Sequence, residues 1–161
     1  MRTIDRVNLG LALVLVLLLW LNRLPHSAAA LPLTDMDPGR ISEVRVHREG
    51  QLQLALLRDA QGWMQTHPDV ARALQRRVDT LLGLLQAPVR WELPGTAGDL
   101  AHYGLDHPAL SLSFDATTLH FGAASAPAGQ RYVALQGQVF LIDDAYYRIA
   151  SLLARHYLKA D

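Results

Sequence analysis

Residues 131–158, RYVALQGQVFLIDDAYYRIASLLARHYL, carry the strongest fold signal of this chain. A central Gln-Gly pair stands between two short apolar runs and is typical of a tight hairpin turn. The pattern therefore predicts strands over 131–136 and 138–142. Two aspartates follow, Asp143 and Asp144, and this residue type is favoured at the N-terminus of a helix, where it caps free backbone N–H groups.

Both halves of the chain predict short antiparallel strands followed by a packing helix. The second half adds a helical turn over 99–105, strands at 110–114 and 119–121, and a final helix over 145–158. The first half predicts strands over 41–47, 51–56 and 63–66, and a helix from Pro68 to about Leu85 that Pro88 ends.

This order of elements predicts an α+β fold with a mainly antiparallel sheet, in two strand blocks that are each closed by a helix. Alternation in the strands and helical spacing elsewhere select the residues that face inward. The expected core is Val44, Val46, Leu54, Leu56, Trp63, Leu74, Val78, Leu81, Leu85, Leu112, Phe114, Tyr132, Val139, Leu141, Ile149 and Leu153.

The N-terminus carries an apolar run, VNLGLALVLVLLLWL, over residues 7–21. Extended to Leu24, it forms a helix of about 27 Å, enough to cross a bilayer core when Arg23 reaches the interface. Arg2 and Arg6 precede the run and favour a cytoplasmic N-terminus. We expect a single-pass protein of a bacterial inner membrane whose remaining chain lies in the periplasm.

Three segments follow from this reading. They are an N-terminal membrane anchor (1–24), a linker rich in proline and small residues (25–40), and a periplasmic α+β domain (41–161). A cleaved signal peptide ending at residues 28–30, which read Ala-Ala-Ala, is the alternative to an anchor.

The composition excludes several classes of protein. Half of the 161 residues are hydrophobic, so the chain is not disordered. Fifteen basic residues balance fifteen acidic ones, which leaves no net field for nucleic acid. Cysteine is absent, so disulfides, thiolate metal sites and cysteine nucleophiles are excluded as well.

Residues that carry catalysis or bind metals are poorly spaced. His102 and His107 are close in sequence, but a five-residue gap does not align two ligands on one helix face. We predict no enzymatic activity, no catalytic residue, no metal site and no cofactor. A metal site from His102, His107 and His120, and a hydrolase using His102, Asp106 or His120, are the weaker readings.

Two acidic pairs have simpler explanations than chemistry. Asp35 and Asp37 lack the further ligands of a calcium loop and fit a linker leading into a strand. Asp143 and Asp144 precede a helix, so capping explains them better than an acid–base pair does.

A possible partner surface lies on the last helix. Arg148, Arg155 and Lys159 fall at spacings of seven and four, which places them in one stripe, although a solvated helix face is the simpler reading. Two aromatic residues, Trp63 and Tyr103, are further candidates for contact with a partner. The small-residue loop over 122–130 is the remaining candidate.

Several short motifs follow one another in a recognisable order. They are Leu33 to Pro38 (LTDMDP), the alternating strand that begins at Ile41, Gly62-Trp63, Tyr103 to Leu110 (YGLDHPAL), Leu119 to Gly122, Arg131-Tyr132-Val133 and Gln138 to Asp143 (QVFLID). Their order resembles the family of domains of unknown function numbered 4340. The resemblance covers residues 33–158. It implies a bacterial envelope protein with one N-terminal membrane helix, linked to ABC-type transport systems of the gliding-motility kind, and it implies no catalytic or binding residue.

These observations lead to two functional hypotheses. The first is a non-enzymatic, membrane-anchored accessory protein of an envelope transport or assembly complex, with membrane proteins such as ABC transporter subunits as partners. The alternative is a periplasmic module that binds a small ligand or a glycan between the sheet and a helix, through Trp63, Trp91, Tyr103 and Tyr132.

Overall fold

The computed structural model describes residues 31–93, 100–125 and 129–157, with side chains in the last range up to Ala154. The compact unit begins at Leu31. Its strands are β1 (Glu43–Arg48), β2 (Gln51–Asp59), β3 (Gly62–His67), β4 (Ala71–Arg72), β5 (Trp91–Glu92), β6 (Leu110–Phe114), β7 (Thr117–Ser125), β8 (Gln130–Leu135) and β9 (Gln138–Asp143). Its helices are α1 (Gln75–Leu82) and α2 (Asp144–Tyr157), with 3-10 turns at Pro38–Arg40 and Gly83–Gln86.

The nine strands form one sheet in the order β4-β3-β2-β1-β6-β7-β8-β9-β5, and the paired neighbours are antiparallel. The two strand blocks expected from the sequence join through β1 and β6. At the β8–β9 turn, Gln136 and Gly137 both have positive φ, as a two-residue hairpin turn of this hand requires. The predicted α+β class with a mainly antiparallel sheet is therefore confirmed.

The helices and one face of the sheet enclose the core. Most of the predicted core residues are buried there, among them Val44, Leu56, Leu81 and Phe114. Up to Ala154, the buried residues of α2 are Ala150, Ser151 and Ala154, and their small side chains allow the helix to approach the sheet closely. Ile149, expected in the core, is instead exposed, and Leu153 is only partly buried.

In the last strand, the side chains that face the core are those next to the predicted ones. Phe140 and Ile142 face the core, whereas Leu141 is half-buried on the other side. Tyr132, its neighbour on β8, lies on that same side and is also outside the core. The run VFLI is apolar at every position, so alternation alone does not say which side faces inward.

The first helix begins later than predicted. Ala71 and Arg72 pair with β3 as a fourth strand, and the backbone N–H of Ala73 donates to the carbonyl of Trp63 at 3.0 Å. These bonds hold the chain extended past Pro68, so Leu74 becomes the residue before α1 and is 56% exposed rather than in the core.

Part of the expected linker belongs to the folded unit. Leu33 is buried, its N–H donates to the carbonyl of Ala87 at 2.9 Å, and Thr34 bonds to the carbonyl of Leu85 through both its N–H and its hydroxyl. Residues 31–40 therefore pack on the domain, which starts about ten residues before the predicted Ile41.

Among the described residues, neither helix is long and apolar enough to cross a membrane. The predicted anchor (1–24) and residues 25–30 of the predicted linker lie outside the described ranges.

Candidate functional site

Among residues 31–93, 100–125 and 129–157, the helices lie over one face of the sheet and no helix lies over the other, which we call the open face. Three buried apolar residues, Ala55, Leu105 and Val139, do not belong to the core cluster beneath the helices. The pairing register places Ala55 opposite Arg45 and Val139 opposite Ala134, outside the core-facing rows. The open face therefore carries a second, smaller set of packed side chains.

An aromatic row crosses one end of the open face. The register aligns Trp91 on β5 with Leu141 on β9, and Leu141 with Tyr132 on β8. The ring of Tyr103 packs against that of Tyr132, with centroids 4.6 Å apart and planes tilted by 43°, and His102 meets Tyr103 edge-on at 5.4 Å. We call these five residues the aromatic row. Trp91 is 65% exposed, and both tyrosines are half-buried.

Two glycines bring Tyr103 to this position. Gly104 has a φ of +64° and reverses the chain, and the register of β7 shifts between Phe121 and Ala124. At this irregularity the N–H of Ala123 donates to the carbonyl of Tyr103 at 2.7 Å. Gly122 lies directly beneath that carbonyl, where a Cβ would overlap it. The YGLD motif is thus a turn that docks on the sheet.

A polar patch occupies the centre of the open face. Ser111 on β6 pairs with His47 on one side and His120 on the other, and its hydroxyl lies 2.9 Å from Nδ1 of His120. Ser113 and Thr118 share a second hydroxyl bond of 2.9 Å. Burial lowers the pKa of His120, which favours the neutral ring. These are cross-strand pairs of the kind that stabilise sheets.

The histidines considered as metal ligands do not converge. His102 belongs to the aromatic row, His107 borders a hollow with Asp106 and Ser111, and His120 bonds to Ser111. Within the described ranges, no group of three His, Asp or Glu side chains has the arrangement of a metal site.

One member of each acidic pair caps a helical turn. Asp37 accepts a bond from the N–H of Gly39 at 2.8 Å and caps the first 3-10 turn. Asp143 accepts from the N–H of Ala145 at 2.8 Å, which confirms its predicted capping role.

A hollow of about 450 Å³ lies between the segment 33–36 and the β8–β9 turn, and none of the aromatic residues predicted to bind a ligand lines it.

Asp144 ties the last helix to the sheet. Its Oδ1 lies 2.6 Å from Nε of Arg131 on β8, and its Oδ2 lies 3.3 Å from Nε of Arg148 one turn further along. The guanidinium of Arg131 stacks 3.7 Å from the ring centre of Tyr147 and also donates to the carbonyl of Gly122 at 2.6 Å. Because Arg131 and Asp144 are largely buried, this network fixes where α2 begins.

The outer side of α2 combines a cation with apolar side chains. Arg148 is exposed, Leu152 is 53% exposed one turn later, and Ile149 flanks them at 38%. Leu152 falls within the stripe that the sequence assigned to Arg148, Arg155 and Lys159, because four residues make about one helical turn. The side chain of Arg155 and all of Lys159 lie outside the described residues.

The structure separates the two aromatic residues proposed for partner contact. Tyr103 lies in the aromatic row, but Trp63 is only 2% exposed, with the Arg58 guanidinium 5.9 Å from its ring centre. The prediction that Trp63 belongs to the core is correct, and its place on a partner surface is wrong, since neighbouring side chains cover it. The contact between Tyr103 and Tyr132, 29 positions apart, has no local signal in the sequence.

The loop predicted over 122–130 is partly strand. Residues 122–125 extend β7 and Gln130 begins β8, while residues 126–128 lie outside the described ranges.

Comparisons with known proteins give no relative for this chain: no family model matches it, and neither a curated protein nor a solved structure is significantly similar to it.

Proposed function

We propose that this chain is a non-enzymatic accessory protein, anchored in a bacterial inner membrane by residues 1–24, that presents its domain to membrane-protein partners on the periplasmic side. The resemblance to the domain of unknown function family 4340 suggests ABC transporter subunits as those partners. A role in an envelope transport or assembly complex follows from this placement.

One observation carries the proposal: the outer side of α2 exposes Leu152 and Ile149 beside Arg148. Large apolar side chains grouped with arginine are typical of protein interfaces, where arginine is enriched and lysine depleted. Nε of Arg148 lies 3.3 Å from Oδ2 of Asp144, so this ion pair partly orders the Arg148 side chain before any partner binds. A partly ordered cation loses less conformational entropy on binding than a free one.

Site-specific crosslinking tests the proposal. A photoreactive amino acid replaces Leu152 in the full chain at native expression, and crosslinked products are identified by mass spectrometry. We expect stoichiometric crosslinks to integral membrane proteins. Val70 is the matched control, because it is apolar and 75% exposed but does not lie on α2. Equal crosslinking at the two positions would contradict a specific surface on α2.

The membrane topology has a separate test. Alkaline phosphatase fused after Asp161 folds only in an oxidising compartment, so it should be active in a periplasmic domain and inactive in a cytoplasmic one. The mass of the purified protein distinguishes an anchor from a cleaved signal peptide, since cleavage after Ala30 removes the first 30 residues.

A further inference from the structure

We propose that the aromatic row is a binding site for an uncharged glycan chain. The site is distinct from the α2 surface, because the row lies on the open face of the sheet and α2 packs on the other face. The placement of the domain in the periplasm rests on the proposed function and indicates the glycan strand of the cell wall as the polymer within reach.

The geometry of the row suits stacking against sugar rings. Neighbouring strands lie about 4.8 Å apart, so Trp91 and Tyr132, separated by β9, are about 10 Å apart along the row. Leu141 lies between them and forms an apolar floor. Tyr103 extends the row past Tyr132 through the ring contact at 4.6 Å. The C–H groups on a pyranose face carry partial positive charge and are attracted to the negative face of an aromatic ring.

Polar groups accompany the rings. The hydroxyl of Tyr132 accepts a bond from Ser125 at 3.3 Å, and a phenolic hydroxyl is a donor as well as an acceptor. His102 at the end of the row is exposed and offers ring nitrogens. A glycan needs both features together, stacking surface for its C–H faces and hydrogen-bond partners for its hydroxyls.

The charge around the row favours a neutral ligand. On the side towards the centre of the open face, the next residues in register are Val139 and Ala134. On the other side, the next pair is Asp143 and Gln130, and the Asp143 carboxylate is already engaged in capping α2. Among the described residues, no cation lies in the row to select an anionic ligand.

The open shape of the site favours a chain over a small molecule. Small ligands bind in concave pockets that cover most of their surface. The row is instead a line of side chains on a sheet face over which the described residues place no helix, and such a line suits successive sugars of a polymer. A short oligosaccharide therefore serves as a probe, and a polysaccharide serves as the full ligand.

Sedimentation with purified peptidoglycan sacculi tests this inference. The full chain, solubilised in mild detergent, is mixed with sacculi, and the bound fraction is measured with and without chitohexaose, a neutral β-1,4-linked oligosaccharide. We expect retention by sacculi that chitohexaose reduces. Trp91→Ala should weaken binding about fivefold to tenfold, because it removes one stacking ring.

Two further variants complete the design. Tyr103→Phe keeps the ring and should bind within about twofold of the parent, whereas Tyr103→Ala should weaken binding as Trp91→Ala does. Val70→Ala is the matched control and should leave binding unchanged, because Val70 is apolar and 75% exposed but lies in neither the aromatic row nor α2. Because this assay needs neither a membrane partner nor the α2 surface, its result is independent of the crosslinking experiment.

Three outcomes would overturn the inference. The first is that sacculi do not retain the protein. The second is that chitohexaose does not reduce the retention, which would assign binding to the peptide stems. The third is that Trp91→Ala leaves the retention unchanged. Trp91 is the decisive position. Because its side chain is largely exposed, Trp91→Ala should not unfold the domain, and a loss of binding would then report on the site itself.

Discussion

Replacing Gly122 with alanine should loosen the turn that holds Tyr103. A Cβ at this position would overlap the carbonyl oxygen of Tyr103 and lie 2.9 Å from Cγ of Leu105, which is buried. The carbonyl has little room to withdraw, because it accepts a bond of 2.7 Å from the N–H of Ala123. The added methyl group therefore meets backbone rather than the movable end of a side chain.

The cost has two limits. If the turn stays in place, overpacking costs about 1–3 kcal/mol. If it detaches, the chain loses one hydrogen bond at about 1 kcal/mol, the tyrosine ring contact at about 1 kcal/mol and the burial of Leu105 at about 2 kcal/mol. The protein adopts whichever arrangement has the lower free energy, and this is the one in which the turn stays in place. We therefore expect Gly122→Ala to lower the free energy of unfolding by about 2–3 kcal/mol.

Urea unfolding of the full chain, followed by circular dichroism, measures this change. The midpoint should fall by roughly 1–2 M. Gly83→Ala is the matched control, because Gly83 has a helical φ of −59° and no atom within 4 Å of an added Cβ. That variant should stay within about 0.5 kcal/mol of the parent or gain slightly. A Gly122→Ala protein as stable as the Gly83→Ala protein would refute the proposed docking of the turn.

Three further predictions concern the core, the ion pair and the half-buried ring of His120, and urea unfolding measures each of them. Leu81→Asp places an unpaired charge in the core and should cost more than about 4 kcal/mol, whereas Leu74→Asp, at an exposed position, should cost less than about 0.5 kcal/mol. Arg131→Met leaves Asp144 without its closest partner and should cost about 2–3 kcal/mol; a neutral result would mean that solvent already screens the pair. Burial lowers the pKa of His120, so its unfolded form binds a proton more readily. Stability should therefore fall as the pH drops below about 6.5, and His120→Asn should reduce that fall.

Local signals in the sequence were sufficient for the hairpins and for the last helix. The Gln-Gly pair fits a turn with two positive φ values, and Asp143 offers the carboxylate that a helix N-terminus needs. Both features depend on residues within a few positions of each other. For that reason, they can be predicted without knowing which distant segment the element packs against.

Contacts between distant segments account for the differences from the prediction. The extended conformation of Ala71 and Arg72 depends on pairing with β3, and the burial of Leu33 depends on a bond to Ala87, more than fifty residues away. Hydrophobicity ranked Ile149 above Ala150, but closeness of the helix to the sheet favours the smaller side chain. None of these choices is visible in a window of ten or fifteen residues.

The aromatic row shows the same division between local and distant information. The sequence named Trp91, Tyr103 and Tyr132 as candidates for ligand binding, together with Trp63, which the fold buries. It assigned Leu141 to the core and His102 to the metal and hydrolase hypotheses. Grouping requires the strand order β8-β9-β5, which aligns Trp91 with Leu141 and Tyr132, and it requires the irregularity in β7 that admits the Tyr103 turn.

The two proposed surfaces are linked through Arg131. Its guanidinium bonds both to Asp144 at the start of α2 and to the carbonyl of Gly122, whose other side supports the turn that carries Tyr103. The surfaces lie on opposite faces of one sheet, so a ligand bound to one leaves the other accessible. The Arg131 side chain nevertheless contacts residues that support each of them. Arg131→Met should therefore weaken glycan retention as well as partner crosslinking from position 152, whereas Trp91→Ala should weaken glycan retention alone. Equal effects of the two variants in both assays would argue against two separate surfaces.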